Sequence, residues 1–147
     1  MKKFLKIFFI IIGVIATLII ALIIGLKVIS SNTTNADEYK MGEDLIPSLK
    51  AVVGKRQVSG IGASVENGIT TKEIKYKTET TAGSDVNKYM GYLVENENFF
   101  ITKNNGTKVE ISKKSVDSGK IIMMTFEKIA NEYVFTIKKG VGELKVY

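Results

Sequence analysis

From Ile7 to Leu26 the chain runs twenty residues without a charge. Only Gly13, Thr17 and Gly25 interrupt the large aliphatics, Phe and Ala. As an α-helix such a stretch is about 30 Å long, the thickness of a bilayer's hydrocarbon core. It predicts a transmembrane helix over residues 7–29. A cleaved signal peptide would have a shorter apolar core, and Thr34-Asn35-Ala36 matches a small-x-small cleavage site poorly. A pilin-type leader would bring an acid early in the apolar run, whereas none precedes Asp37. Gly13, Thr17, Ala21 and Gly25 recur at every fourth residue, along one stripe of that helix. Small side chains in such a stripe let a second helix approach closely, so they form the expected pairing face of the membrane segment.

After a polar tether over 30–36, the pattern turns to that of a small folded domain over 37–147. Asn35 with Glu38 resembles a helix N-terminal box. Met41, Leu45, Leu49 and Val52 or Val53 follow at helical spacing, with Pro47 dividing the helix and Gly54 ending it. Val58 to Glu66, with Gly60 and Gly62 inside, reads as a glycine-bearing edge strand or loop. It lacks the third glycine and the preceding strand of a dinucleotide-binding fingerprint. Asn67-Gly68 signals a type I′ turn. Thr70, Lys72, Ile74, Tyr76 and Thr78 then alternate with charged residues, a strand with one solvated face. Val86, Tyr89, Met90 and Leu93 repeat at i, i+3, i+4 and i+7, which predicts a helix capped by Ser84 or Asp85.

The remainder reads as hairpins. Phe99 to Thr102 and Val109 to Ile111 flank Asn105-Gly106, and a two-residue turn there would place Phe100 and Thr102 on one face with Val109 and Ile111. Ser112 to Gly119 is a polar loop. Ile121 to Ile129 and Tyr133 to Lys139 form the most apolar hairpin, expected at the centre of the sheet and covered on both faces. Leu144, Val146 and Tyr147 suggest a short last strand. The fold class that follows is α+β: one N-terminal transmembrane helix, then a small antiparallel-sheet domain with about two helices packed on one face.

Composition narrows the chemistry. The 147 residues include no Cys and no His, which removes disulfides, a Cys nucleophile, a thiolate metal site, the commonest general base and the commonest metal ligand. Of the formal charge of +6, Lys2, Lys3, Lys6 and Lys27 flank the apolar run. The other 17 Lys and Arg nearly balance 15 Asp and Glu, and no phosphate-tracking stripe is present, so nucleic acid is not an expected partner. The lysines before the run place residues 1–6 in the cytoplasm and the domain outside.

Without His or Cys, the remaining nucleophilic option is Ser with Lys: Ser48 with Lys50, or Ser115 with Lys113 or Lys114. These stretches are polar, and an exposed lysine stays protonated. Glu95 with Glu97 reads as a solubilising pair, and Asp117-Ser118-Gly119 is too short for a calcium loop. Asn32-Thr33-Thr34 and Asn105-Gly106-Thr107 fit the N-glycosylation pattern. The composition resembles that of small membrane-anchored proteins of Gram-positive bacteria. The expectation is a single-pass protein of the cytoplasmic membrane that displays a non-enzymatic, cofactor-free and metal-free binding module in the cell envelope. Its expected partners are membrane lipid, and a second copy or another membrane protein through the helix stripe. A ligand-sensing domain and a pilin-like subunit are the alternatives.

Overall fold

Met41-Gly42-Glu43-Asp44 is a tight turn, with Gly42 at φ +67°, a conformation that L side chains rarely adopt. It folds β1 (Glu38–Met41) back on β2 (Asp44–Pro47), and α1 (Leu49–Val53) follows at once. The computed structural model describes residues 36–78 and 82–144. The helix expected across Met41 to Val53 is therefore a two-stranded hairpin with one short helical turn. Its inward side chains are Tyr39, Met41, Asp44, Ile46 and Leu49, whereas Leu45, expected on the apolar stripe, is 49% exposed. A turn that needs positive φ at Gly42 overrides the apolar spacing. Ser48 caps α1, its side-chain oxygen accepting from the Ala51 amide, and Gly54 ends it at φ +89°.

A six-stranded sheet makes up most of the remainder. Its strands are β3 (Val58–Glu66), β4 (Ile69–Lys77), β5 (Phe100–Asn104), β6 (Lys108–Lys114), β7 (Lys120–Ile129) and β8 (Glu132–Val141). Every pairing is antiparallel, in the order β3-β4-β8-β7-β6-β5, so the β7–β8 hairpin is central. Asn67 and Gly68 both have positive φ, as the two-residue β3–β4 turn requires. The β5–β6 turn is longer than expected. Asn104 faces Val109, and Asn105 holds the loop with its side-chain oxygen, accepting from the Lys108 amide. A bulge between Ile101 and Lys103 shifts the register, so that Phe100 faces Ser112 and Ile101 faces Ile111.

The α+β expectation is corrected by this architecture. Strands dominate, and the only helices among the described residues are α1 and the 15-residue α2 (Ala82–Asn96). None of them is long and apolar enough to cross a membrane. The expected span over 7–29, with Gly13, Thr17, Ala21 and Gly25, lies outside the described residues, as do Asn35 and the last strand residues Val146 and Tyr147.

One apolar cluster holds the domain together. The inward rows of the sheet (Ile74 and Tyr76; Phe135 and Ile137; Ile122, Met124 and Phe126; Ile111) pack against Tyr89 and Leu93 of α2 and against Tyr39, Met41 and Ile46 of the small hairpin. Tyr89 stacks on Phe135 at 5.7 Å between centroids, and Phe126 meets Phe135 edge-on at 5.0 Å. Each buried hydroxyl is bonded: Tyr89 donates to the Pro47 carbonyl at 2.7 Å, and Tyr39 and Tyr76 share a hydrogen bond. Burial raises the pKa of all three phenols, so they stay neutral. On the opposite face Val134, Ser112 and Thr125 are shielded within the sheet, but none of them belongs to this cluster.

Candidate functional site

At one end of the central hairpin the polar groups are locked together. Lys139 follows Tyr133, Phe135 and Ile137 on the inward parity of β8 and is 5% exposed. Its ammonium donates to the Met41 carbonyl at 2.8 Å and contacts the Asp44 carboxylate at 2.6 Å and that of Asp117 at 2.9 Å. Asp44, 3% exposed, also accepts from the Ser115 hydroxyl at 2.6 Å and the Val116 amide at 3.0 Å. Ser115 in turn accepts from the Asp117 amide at 3.0 Å, and Lys120 approaches Asp117 at 3.3 Å.

The electrostatics follow from these contacts. Burial on its own would raise Asp44, but bonds from Lys139, Ser115 and Val116 hold it below the usual carboxylate range. Burial on its own would lower Lys139, but Asp44 and Asp117 raise it. Hydrogen bonds from Lys139 and Lys120 lower Asp117. A lysine in this state is a committed cation, with its donors used and its proton held more tightly than normal, which is the opposite of an activated base. The cluster ties the β1–β2 turn to β8 and to the β6–β7 loop.

The serines singled out in the sequence are spent in the same way. Ser48 caps α1, and Ser115 donates to Asp44. Lys50 pairs with Asp37 at 3.0 Å, and Lys113 lies 3.7 Å from Glu97 and over the Phe99 ring. Glu95 is exposed, and Glu97 serves that ion pair. Among the described residues no group of three or more metal-ligating side chains is placed to hold an ion. Asp117 is part of the lock, and Asn105 shapes the β5–β6 turn.

The opposite end of the hairpin is open. A groove of about 360 Å³ lies between the first turn of α2, the β5–β6 turn and the β7–β8 end. Its apolar lining is Val86 of α2, Val109 of β6, Phe126 of β7 and Tyr133 of β8. Asn87, Thr107, Glu127 and Lys128 supply amide, hydroxyl and both signs of charge. Small residues make the space: Gly83 and Gly106 line it, and a methyl group at Gly83 would stand 3.6 Å from the Tyr133 hydroxyl. Beside it, Arg56 grips Asp85 with two bonds, of 2.6 and 3.1 Å, which anchors α2. That bidentate contact lowers the Asp85 pKa. An apolar lining with a few convergent polar groups is the usual make-up of a small binding site, and this volume is at the low end of such sites.

Sequence reasoning named none of the four apolar lining residues as a site, and no motif marks them. Lys139 did carry a signal, since a charge on the buried parity of a central strand announces a buried ion pair. No protein-family model and no curated protein matches the chain.

Proposed function

We propose that this protein is a non-enzymatic binding module, held at the outer face of a cytoplasmic membrane by its apolar N-terminal run. Its groove at the α2 end of the sheet receives the partner. The observation that carries the reading is that groove, with an apolar lining and mixed polar groups, in a domain whose buried charges are consumed in structural bonds. The membrane part rests on sequence alone: the uncharged stretch from Ile7 to Leu26 and the lysines at 2, 3 and 6. Lipid is then the first partner, and Gly13, Thr17, Ala21 and Gly25 supply a face for a second helix.

At about 360 Å³ the groove has room for one or two rings or bulky aliphatic side chains rather than for a large cofactor. Presented on a peptide, such a group would seat against Phe126 and Tyr133, and the backbone beside it would meet Asn87 and Thr107. The same volume suits a small free ligand, which gives a second reading as a ligand-sensing domain.

A photo-reactive residue placed at Thr107 in the full-length protein in its native membrane separates these readings. A binding module gives a discrete protein adduct from position 107 and none from Val116, which is 72% exposed at the locked end. A sensor gives no protein adduct but shows protection of the groove by a small molecule extracted with the protein. Equal labelling from both positions, with no protecting small molecule, would sink both readings. Turnover of a substrate by the full-length chain would sink the non-enzymatic one.

A further inference from the structure

The sequence holds two Asn-Gly pairs, Asn67-Gly68 and Asn105-Gly106, and the fold sets both in exposed turns between strands. In such a pair the asparagine side chain is open to attack by the next backbone nitrogen, because glycine has no Cβ to shield that nitrogen or to restrict its rotation. Exposure does not separate the two pairs. Space does not either, since an added Cβ would meet nothing within 4 Å at Gly68 or at Gly106. Their hydrogen bonds do.

In the β5–β6 turn both reacting groups are held. The Gly106 amide donates to Asn104 Oδ1 at 3.0 Å. The Asn105 side-chain oxygen accepts from the Lys108 amide at 2.8 Å and from the Thr107 hydroxyl at 3.3 Å. Attack at Asn105 would break the first bond to free the nitrogen and the other two to swing Cγ towards it. The β3–β4 turn is built on the backbone alone. Glu66 and Ile69 face each other across it, and Asn67 at φ +51° and Gly68 at φ +77° span it. Among the described residues nothing bonds to the Asn67 carboxamide or to the Gly68 amide.

We propose that Asn67 is a site of self-modification, which loses its side-chain amide through a cyclic imide and ends as aspartate or isoaspartate, while Asn105 is guarded. The Gly68 nitrogen gives up its proton and bonds to Asn67 Cγ. The Cγ–Nδ2 bond breaks, and the leaving nitrogen takes up that proton and departs as ammonia. Water then opens the five-membered ring. Cleavage at Cγ leaves aspartate, and cleavage at the backbone carbonyl leaves isoaspartate, with the chain running through Cγ. Water is the only co-reactant, and no electrons are exchanged. Either product sets a new carboxylate next to Glu66, and isoaspartate adds a methylene to a turn that closes on two residues. Ile69, whose side chain lies against Gly140 of the central hairpin, is the first residue this displaces. The turn belongs neither to the groove nor to the apolar N-terminal run, so the site does not depend on the binding reading.

The test incubates the folded full-length chain at mildly alkaline pH in micelles and follows both turns by mass spectrometry of their peptides, with isoaspartate marked by enzymatic methylation. The expected result is conversion at Asn67 about tenfold or more faster than at Asn105, the difference that two or three unbroken hydrogen bonds supply. In guanidinium chloride, where those bonds are gone, the two rates should converge. Asn104→Ala, at an exposed position, frees the Gly106 amide and should speed conversion at Asn105 in the folded chain. Equal rates in the folded chain, or a faster rate at Asn105, overturn the proposal. So does an Asn67 that stays intact in the folded chain while the unfolded chain converts. An Asn105 rate unmoved by Asn104→Ala overturns the Gly106 bond as the guard.

Discussion

The two ends of the β7–β8 hairpin are built on opposite terms. At the Lys139 end, three elements meet through a charge cluster in which each donor and acceptor has a partner. At the Tyr133 end, α2 and the β5–β6 turn stand apart over an apolar lining and leave space. Both ends lie beside the same core, whose Phe126 and Phe135 rings touch. The difference teaches where this domain can tolerate change. Substitutions at the closed end should act on folding, and on the proposed binding reading those at the open end should act on recognition.

The sharpest way to break the comparison is Lys139→Met. Asp44 stays 3% exposed but loses its cation, and an uncompensated buried carboxylate costs about 3 kcal/mol or more. Urea titration followed by far-ultraviolet circular dichroism should show that loss, with an unchanged slope. A loss under about 1 kcal/mol would mean that water enters the site and screens the charges.

The same lock should respond to pH from both sides. Asp44 has a lowered folded pKa, so its contribution is present above the unfolded value and fades as pH falls through the folded one. Lys139 has a raised folded pKa, so its contribution is complete below the unfolded value and fades as pH rises through the folded one. Stability should therefore be flat through the neutral range and fall below about pH 4 and above about pH 10.5. Three buried phenols, Tyr39, Tyr76 and Tyr89, also have raised pKa values and share the alkaline limb, so Lys139→Met should make that limb shallower by the share Lys139 supplies. Thermal unfolding across that range is the measurement, and an alkaline limb unchanged in the variant would assign it to other groups.

Gly42→Ala is a milder probe of the closed end. A methyl group there would meet the Lys139 ammonium at 3.0 Å, and the backbone sits at φ +67°. The cost should be about 1–2 kcal/mol, most of it from the backbone conformation. If Lys139→Met is already present, the steric part should vanish, so the two changes should cost less together than their separate effects predict.

Much of the sheet could be read from alternation and turn chemistry. Asn67-Gly68 fixed one hairpin because both residues accept positive φ, and the inward parity of Tyr133, Phe135 and Ile137 fixed the central strand. The α2 spacing was also clear, with Tyr89 and Leu93 fully buried. The first helix failed because apolar residues four apart also occur in a hairpin that happens to turn at Gly42. Local sequence gave no hint that Asp44, not Leu45, points inward, since the partner of Asp44 lies 95 positions away at Lys139. The β5–β6 register failed because Asn105 closes a longer loop with its side chain. The groove was not legible at all. It forms where α2, the β5–β6 turn and the β7–β8 end come together, and no spacing rule links those segments.

The smallest expected effect on stability, and the most telling for the open end, comes from Thr107→Trp. Thr107 is exposed in the β5–β6 turn and lines the groove. An indole there can lie across Val86 and Val109 without displacing any buried group. The stability change should therefore be within about 0.5 kcal/mol. Binding should respond differently, because the indole occupies the space that an incoming ring or aliphatic side chain needs. The paired measurement is urea stability alongside the photo-adduct yield from a probe at Asn87. Unchanged stability with a lost adduct assigns recognition to the groove. Unchanged stability with an unchanged adduct places recognition elsewhere on the domain and leaves this end with no role beyond closing α2 onto the sheet.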